Sequence, residues 1–303
     1  MKKFTPILLS FFLVFFTFSV LNAQQDNTSD ASEKVEKKKN KKKKKKYKLP
    51  DIDLSHWKVT LPVLNEKGKP FEIEPPEIYD FASNEIAKPY MYIDSTAGAI
   101  VFHAMPTASK TRNTKYTRSE LREQMTPGNN NVNWTFADGA YMKGKIQMEA
   151  TSKASNGKYH RTIIMQIHGR LTNEQRDLIG EDDNNAPPIL KIYWDNGKVR
   201  VKTKELKNLN ASDTEILHED AWDDDEGFNF EQEVGFRKFV LEVKVSDGKM
   251  VIILNGNEYK VYENIHMKRW GVFENYFKAG NYFQTRDEGA FSKVKFYELE
   301  VSH

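Results

Sequence analysis

The chain has 303 residues, with 46 Lys and Arg against 43 Asp and Glu, and no cysteine. Disulfides and cysteine-linked lipid are therefore excluded, and a folded part must be held by its core alone. The net charge of +3 joins two opposed regions: residues 24–50 carry 11 Lys and 4 acidic groups, a net of +7, whereas 51–303 carry 33 basic and 39 acidic groups, a net of −6.

The N-terminus has Lys2 and Lys3, an apolar run from Ile7 to Leu21, then Asn22-Ala23-Gln24. A basic start, a short apolar stretch and a small residue before a polar segment predict a signal peptide at 1–23, cleaved after Ala23. The run is short for a membrane span of about twenty residues. The mature protein is expected to be extracellular or periplasmic.

Residues 24–50 end in a lysine block from Lys37 to Lys46, broken only by Asn40. Such a block repels itself and predicts a disordered, lysine-rich linker. It reads as a solvated spacer or as a tail for an anionic surface or acidic polysaccharide. No nucleic-acid recognition motif accompanies it.

From residue 51 onward, strand and turn signals dominate, predicting one all-β domain over 51–303. Val199–Thr203 follows Asn196-Gly197, Phe239–Val245 runs into Asp247-Gly248, and Met250–Leu254 runs into Asn255-Gly256. These dipeptides between alternating apolar runs mark hairpins. Lys293–Val301 reads as a closing strand, and only Asn173–Ile179 suggests a helix. Many short strands without alternating helices indicate an antiparallel sandwich or barrel. Leu171–Pro188 and Asn208–Glu233 read as long loops of the kind that flank binding sites. Their acidic clusters lack EF-hand spacing and read as solvated.

Three segments share one pattern. In 114–124, Thr114, Tyr116, Arg118, Glu120, Arg122 and Gln124 fall on one parity. In 161–170, Gln166, His168 and Arg170 oppose Ile163, Met165 and Ile167. In 276–284, Tyr276, Lys278, Gly280, Tyr282 and Gln284 oppose Phe277, Ala279, Asn281 and Phe283. Strand side chains alternate between faces. Three such strands side by side would form a platform for a long anionic ligand.

The motifs Arg118-Ser119-Glu120-Leu121-Arg122, Gln166-Ile167-His168 and Tyr276–Gln284 resemble the three signatures of alginate lyases of polysaccharide lyase family 7. Asp53–Pro62 and Lys293–Leu299 resemble that family's first and last strands, so the resemblance covers about residues 51–303. It implies a β-jelly roll of two curved antiparallel sheets with a concave groove. It implies cleavage of alginate by β-elimination, without a required metal or cofactor in the chemical step. The chain is expected to act as a monomer.

β-Elimination removes the C5 proton of a uronate and expels the C4 oxygen, so the adjacent carboxylate must be neutralised as charge builds on it. By resemblance, Arg118 and Gln166 do this; arginine's planar fork suits a carboxylate. His168 is the expected base and Tyr282 the expected acid. Arg122, Lys278, Gln284 and Tyr116 are expected substrate contacts, and Glu120 is expected to orient Arg118 or Arg122. Gly280 is expected to leave room for a sugar ring. Ile167, the middle residue of its motif, goes in the family with guluronate-containing substrate.

A glycoside hydrolase would need two carboxylates flanking a bond, which no strand supplies in the required form. A non-catalytic acidic-polysaccharide-binding domain would not need His168 with Tyr282. A lyase on another polyuronate such as glucuronan is the nearest alternative.

Overall fold

The computed structural model describes residues 47–110 and 114–303. The expected signal peptide and nearly all of the lysine-rich linker lie outside the described residues. Seventeen strands follow in chain order: β1 (Asp51–Ile52), β2 (Trp57–Leu64), β3 (Pro70–Ile73), β4 (Met91–Asp94), β5 (Ala99–Ala104), β6 (Arg118–Glu123), β7 (Ala140–Thr151), β8 (Thr162–Arg170), β9 (Asn185–Asp195), β10 (Lys198–Leu206), β11 (Trp222–Asp224), β12 (Phe228–Glu233), β13 (Phe239–Ser246), β14 (Lys249–Leu254), β15 (Glu258–Tyr262), β16 (Glu274–Phe283) and β17 (Ser292–Ser302). Two short α-helices, α1 (Asn173–Ile179) and α2 (Ile265–Arg269), and four 3-10 turns interrupt them.

The strands form two sheets. One runs β15-β14-β13-β7-β17-β5-β4, with β1 added in parallel beside β17. The other runs β11-β10-β9-β8-β16-β6-β2-β3, with β12 also on β10. All pairings other than β1–β17 are antiparallel. This is the expected all-β architecture of two antiparallel sheets, a jelly roll. The inner faces supply the core, with Trp57, Phe102, Leu121, Ile167, Phe277 and Phe296 each nearly or fully inaccessible. Asn281 sits among them, and its amide donates to Phe102 O and Ser292 O at 3.0 and 2.9 Å, bonding one sheet to the other. A buried amide so satisfied is tolerated in an apolar core.

The turn signals translate directly. Asn196 and Gly197 join β9 to β10 with φ of 49° and 89°, as a two-residue hairpin turn requires. Two readings need correction. Leu171–Pro188 is not a plain loop: it holds α1 and the start of β9, where Pro188 pairs with His168. Asn208–Glu233 likewise contains β11 and β12, both bonded to β10. Residues 47–50, assigned to the linker by composition, approach the turn at 94–98; Lys48 N–H donates to Ser95 O at 2.8 Å.

Candidate active site

The three strands with the shared parity pattern adjoin in the order β8-β16-β6. Cross-strand register then decides which polar groups meet. Tyr276 faces His168, Lys278 stands between Gln166 and Arg122, and Tyr282 faces Arg118. The opposite parity is buried in the core: Met165, Ile167, Leu121, Phe277, Ala279 and Phe283 have no accessible surface.

Glu120 organises the centre. It is 1% exposed and accepts from Arg118 Nη1 at 3.1 Å, Lys278 Nζ at 2.6 Å and Gln166 Nε2 at 2.5 Å. The carboxylate thus pairs with Arg118. It does not hold Arg122, whose guanidinium donates instead to Glu123 O, Asn130 O and Asn133 Oδ1. Arg118 Nη2 is buried and has no partner among the described residues. An unpartnered buried donor is costly, so this nitrogen is ready for an acceptor carried by a ligand.

A cavity of about 400 Å³ opens over this face, walled by Lys58, Arg118, Arg122, His168, Arg170, Tyr276 and Lys278 among others. Its far wall comes from the two acidic segments, through Asp183, Asn185 and Glu219. Tyr282, Gln284 and Tyr116 form a second cluster, next to Arg118. The Arg118 guanidinium lies 4.0 Å over the Tyr282 ring, Tyr116 meets that ring edge-on at 6.3 Å, and Gln284 Nε2 donates to Tyr282 O.

Titration behaviour follows from burial among cations. The His168 pKa is pushed down to about 3, first by burial and then by Lys278, Arg118 and Arg122. His168 Nδ1 lies 3.0 Å from Gly169 O. A carbonyl only accepts, so Nδ1 carries the proton and Nε2 keeps a free lone pair. Lys278 is lowered to about 8, chiefly by burial and Arg118, with Glu120 opposing. Burial raises the Tyr282 hydroxyl, so it stays protonated at neutral pH. The site therefore offers a neutral imidazole, a protonated phenol and convergent guanidinium and amide donors. That set can take a proton, give a proton and stabilise an anion.

Two features differ from expectation. A Cβ on Gly280, at φ 139°, would come within 2.8 Å of Ser119 O and 2.9 Å of Glu120 Cα. The glycine thus serves the close approach of β16 to β6 rather than room for a sugar. Tyr276 is also more central than its motif position suggested, since its ring stacks on His168 at 5.2 Å between centroids.

A family model described as alginate lyase matches residues 52–303. The chain belongs to the alginate lyase family. It is a polysaccharide lyase, and its relatives place it with polysaccharide lyase family 7. A curated alginate lyase of Klebsiella pneumoniae is 24% identical over 306 residues, covering 83% of this chain and 89% of that one. Among solved structures, alginate lyase A1-II′, a family 7 member, superposes with a TM-score of 0.65 at 29% identity, over 83% of this chain and 96% of that one. An alginate lyase from Pseudomonas aeruginosa shares the fold, with a TM-score of 0.59 at 23% identity, over 83% of this chain and all of that one.

Proposed function

We propose that this alginate lyase is exported and cleaves guluronate-containing alginate by β-elimination, leaving 4,5-unsaturated oligouronates. The observation that carries the chemistry is the grouping of His168, Arg118 and Tyr282 on three adjoining strands, with the imidazole held neutral and the phenol held protonated. Arg118 Nη2 and Gln166 take the uronate carboxylate and stabilise the charge that develops on it. His168 Nε2 removes the C5 proton and Tyr282 protonates the departing C4 oxygen. Lys278, Arg122, Gln284 and Tyr116 hold neighbouring sugars, and Glu120 sets the donors in place.

The relative A1-II′ supports this reading: a form with His→Asn and Tyr→Phe substitutions is described in complex with substrate (GGMG). Guluronate preference rests on Ile167, which packs behind the site with no exposure and acts through the strand rather than by contact. Export rests on the leader sequence, the tail's role on its lysine block, and the chain is taken as a monomer.

The test is ultraviolet absorbance of the new C4–C5 double bond on alginate, polyguluronate, polymannuronate and glucuronan. Alginate should give the signal and glucuronan none. Tyr282→Phe and His168→Ala should each abolish it while alginate still binds. Wild-type rates in Tyr282→Phe would sink the mechanism, and faster turnover of polymannuronate would sink the preference.

A further inference from the structure

Tyr276 has no place in the proton transfers, yet it is held more firmly than they require. It stands directly opposite His168 across the β16–β8 ladder. The two rings lie 5.2 Å apart and 13° from parallel. On β6, Arg122 places its guanidinium carbon 4.1 Å from the same phenol ring. Arg122 is itself pinned, at 2.6 Å to Glu123 O, 3.0 Å to Asn130 O and 3.1 Å to Asn133 Oδ1. Asn133 in turn donates to Glu274, which also takes Arg170 Nη1 at 2.7 Å. A guanidinium, a phenol and an imidazole therefore stand in series across three strands, with the guanidinium fixed from behind.

The stack supplies what the imidazole otherwise lacks. Among the described residues His168 has one anchoring hydrogen bond, from Nδ1 to Gly169 O, and one bond leaves a ring free to swing about its side-chain torsions. A flat ring alongside, itself immobilised, removes that freedom. It also keeps water off one face. Proton abstraction depends steeply on such placement, since an error of about 1 Å can cost about a hundredfold in rate.

We propose that Tyr276 is a positioning residue, whose ring, clamped by Arg122, fixes the plane of the His168 imidazole and shields it from water. The inference rests on His168 as the base. Tyr276 stacks on this imidazole from β16, Lys278 of β16 and Arg118 and Arg122 of β6 act on its charge, and Arg170 of β8 with Asp183 and Glu219 share the cavity it lines. Lys278, Arg118 and Arg122 oppose its protonation, as does dehydration. Removing the ring admits water and relieves the second effect, so the imidazole becomes easier to protonate.

The experiment compares wild type with Tyr276→Phe, Tyr276→Leu and Tyr276→Ala in the full enzyme. His168 is titrated by NMR, assigned with His168→Gln, and kcat/KM on alginate is followed against pH. Tyr276→Phe keeps the ring and should keep the low titration midpoint and the wild-type acid limb. Tyr276→Leu keeps bulk but not flatness, and Tyr276→Ala keeps neither. Both should raise the midpoint by more than one pH unit, carry the acid limb upward with it, and lower kcat at least tenfold with a smaller change in KM. An unmoved midpoint and acid limb in both Leu and Ala variants overturns the proposal. So does a Tyr276→Phe variant that behaves like Tyr276→Ala, which would assign the effect to the hydroxyl. Full activity in His168→Gln would instead remove His168 as base, and the NMR titration of the Tyr276 variants would still decide the stacking.

Discussion

Glu120 shows how one buried charge sets a site. A carboxylate beside an anionic substrate is a liability unless its charge is spent elsewhere. Here it is spent on Arg118, Lys278 and Gln166 at 2.5–3.1 Å. The arrangement leaves Arg118 Nη2 without a partner among the described residues and holds Lys278 protonated up to about pH 8 despite its burial. Glu120→Gln preserves shape but leaves two buried cations without their counter-charge. Breaking a buried ion pair costs about 3–5 kcal/mol, so thermal unfolding should shift down by that order and alginate turnover should fall at least a hundredfold. An activity loss with unchanged stability would mean that Glu120 acts on substrate rather than on its neighbours. Sequence parity put Glu120 on the right face. Arg118, two positions along the same strand, was within reach of that parity; Gln166 and Lys278 were not, because they meet Glu120 through register between strands more than forty residues apart.

At the scale of elements, the platform was legible and the rim was not. A period of two survives in any strand with one buried face, so Arg118, Gln166, His168, Lys278 and Tyr282 could be sorted before their strands were paired. Tyr276 belonged to the same row, but its stack depends on facing His168, which no single strand encodes. The start of β9 reads as loop because Pro187-Pro188 signals one; Pro188 instead joins the ladder where its register with β8 shifts, the kind of position where a sheet accepts proline. Asp183 and Glu219 line one wall of the cavity, beside Asn185, which pairs with Arg170 across the β8–β9 ladder. Neighbouring strands are about 5 Å apart, so these carboxylates stand close to where an anionic polymer must lie. Among the described residues neither forms an ion pair with Lys or Arg. Asp183→Asn with Glu219→Gln should therefore lower KM for alginate severalfold, most clearly at low salt, where charges are least screened. A KM that is unchanged at low ionic strength would place the polymer away from this wall.

For the whole molecule, the groove is a basic strip on an acidic body. Residues 51–303 carry a net of −6, yet Lys58, Arg118, Arg122, Arg170 and Lys278 gather around one cavity. Holding a neutral imidazole amid those cations has a consequence for stability. In the unfolded chain a histidine titrates near 6.5; in the fold His168 titrates at about 3. Above pH 6.5 it is neutral in both states and contributes nothing. As pH falls from 6.5 toward 3, the unfolded chain takes up a proton that the native state refuses, so stability is lost by up to about 1.4 kcal/mol per unit. Asp94 acts lower down: hydrogen bonding to Lys295 and Thr96 depresses its pKa strongly, so its stabilisation is present above about pH 4 and lost below. Acid destabilisation should therefore come in two stages, with only the upper one due to His168. Thermal unfolding of His168→Gln between pH 7 and 4 should show a shallower fall in Tm than wild type, with the two curves running parallel below about pH 3. Equal slopes between pH 6.5 and 4 would mean that His168 takes up its proton in the native state, and would remove the electrostatic basis for keeping it neutral in this groove.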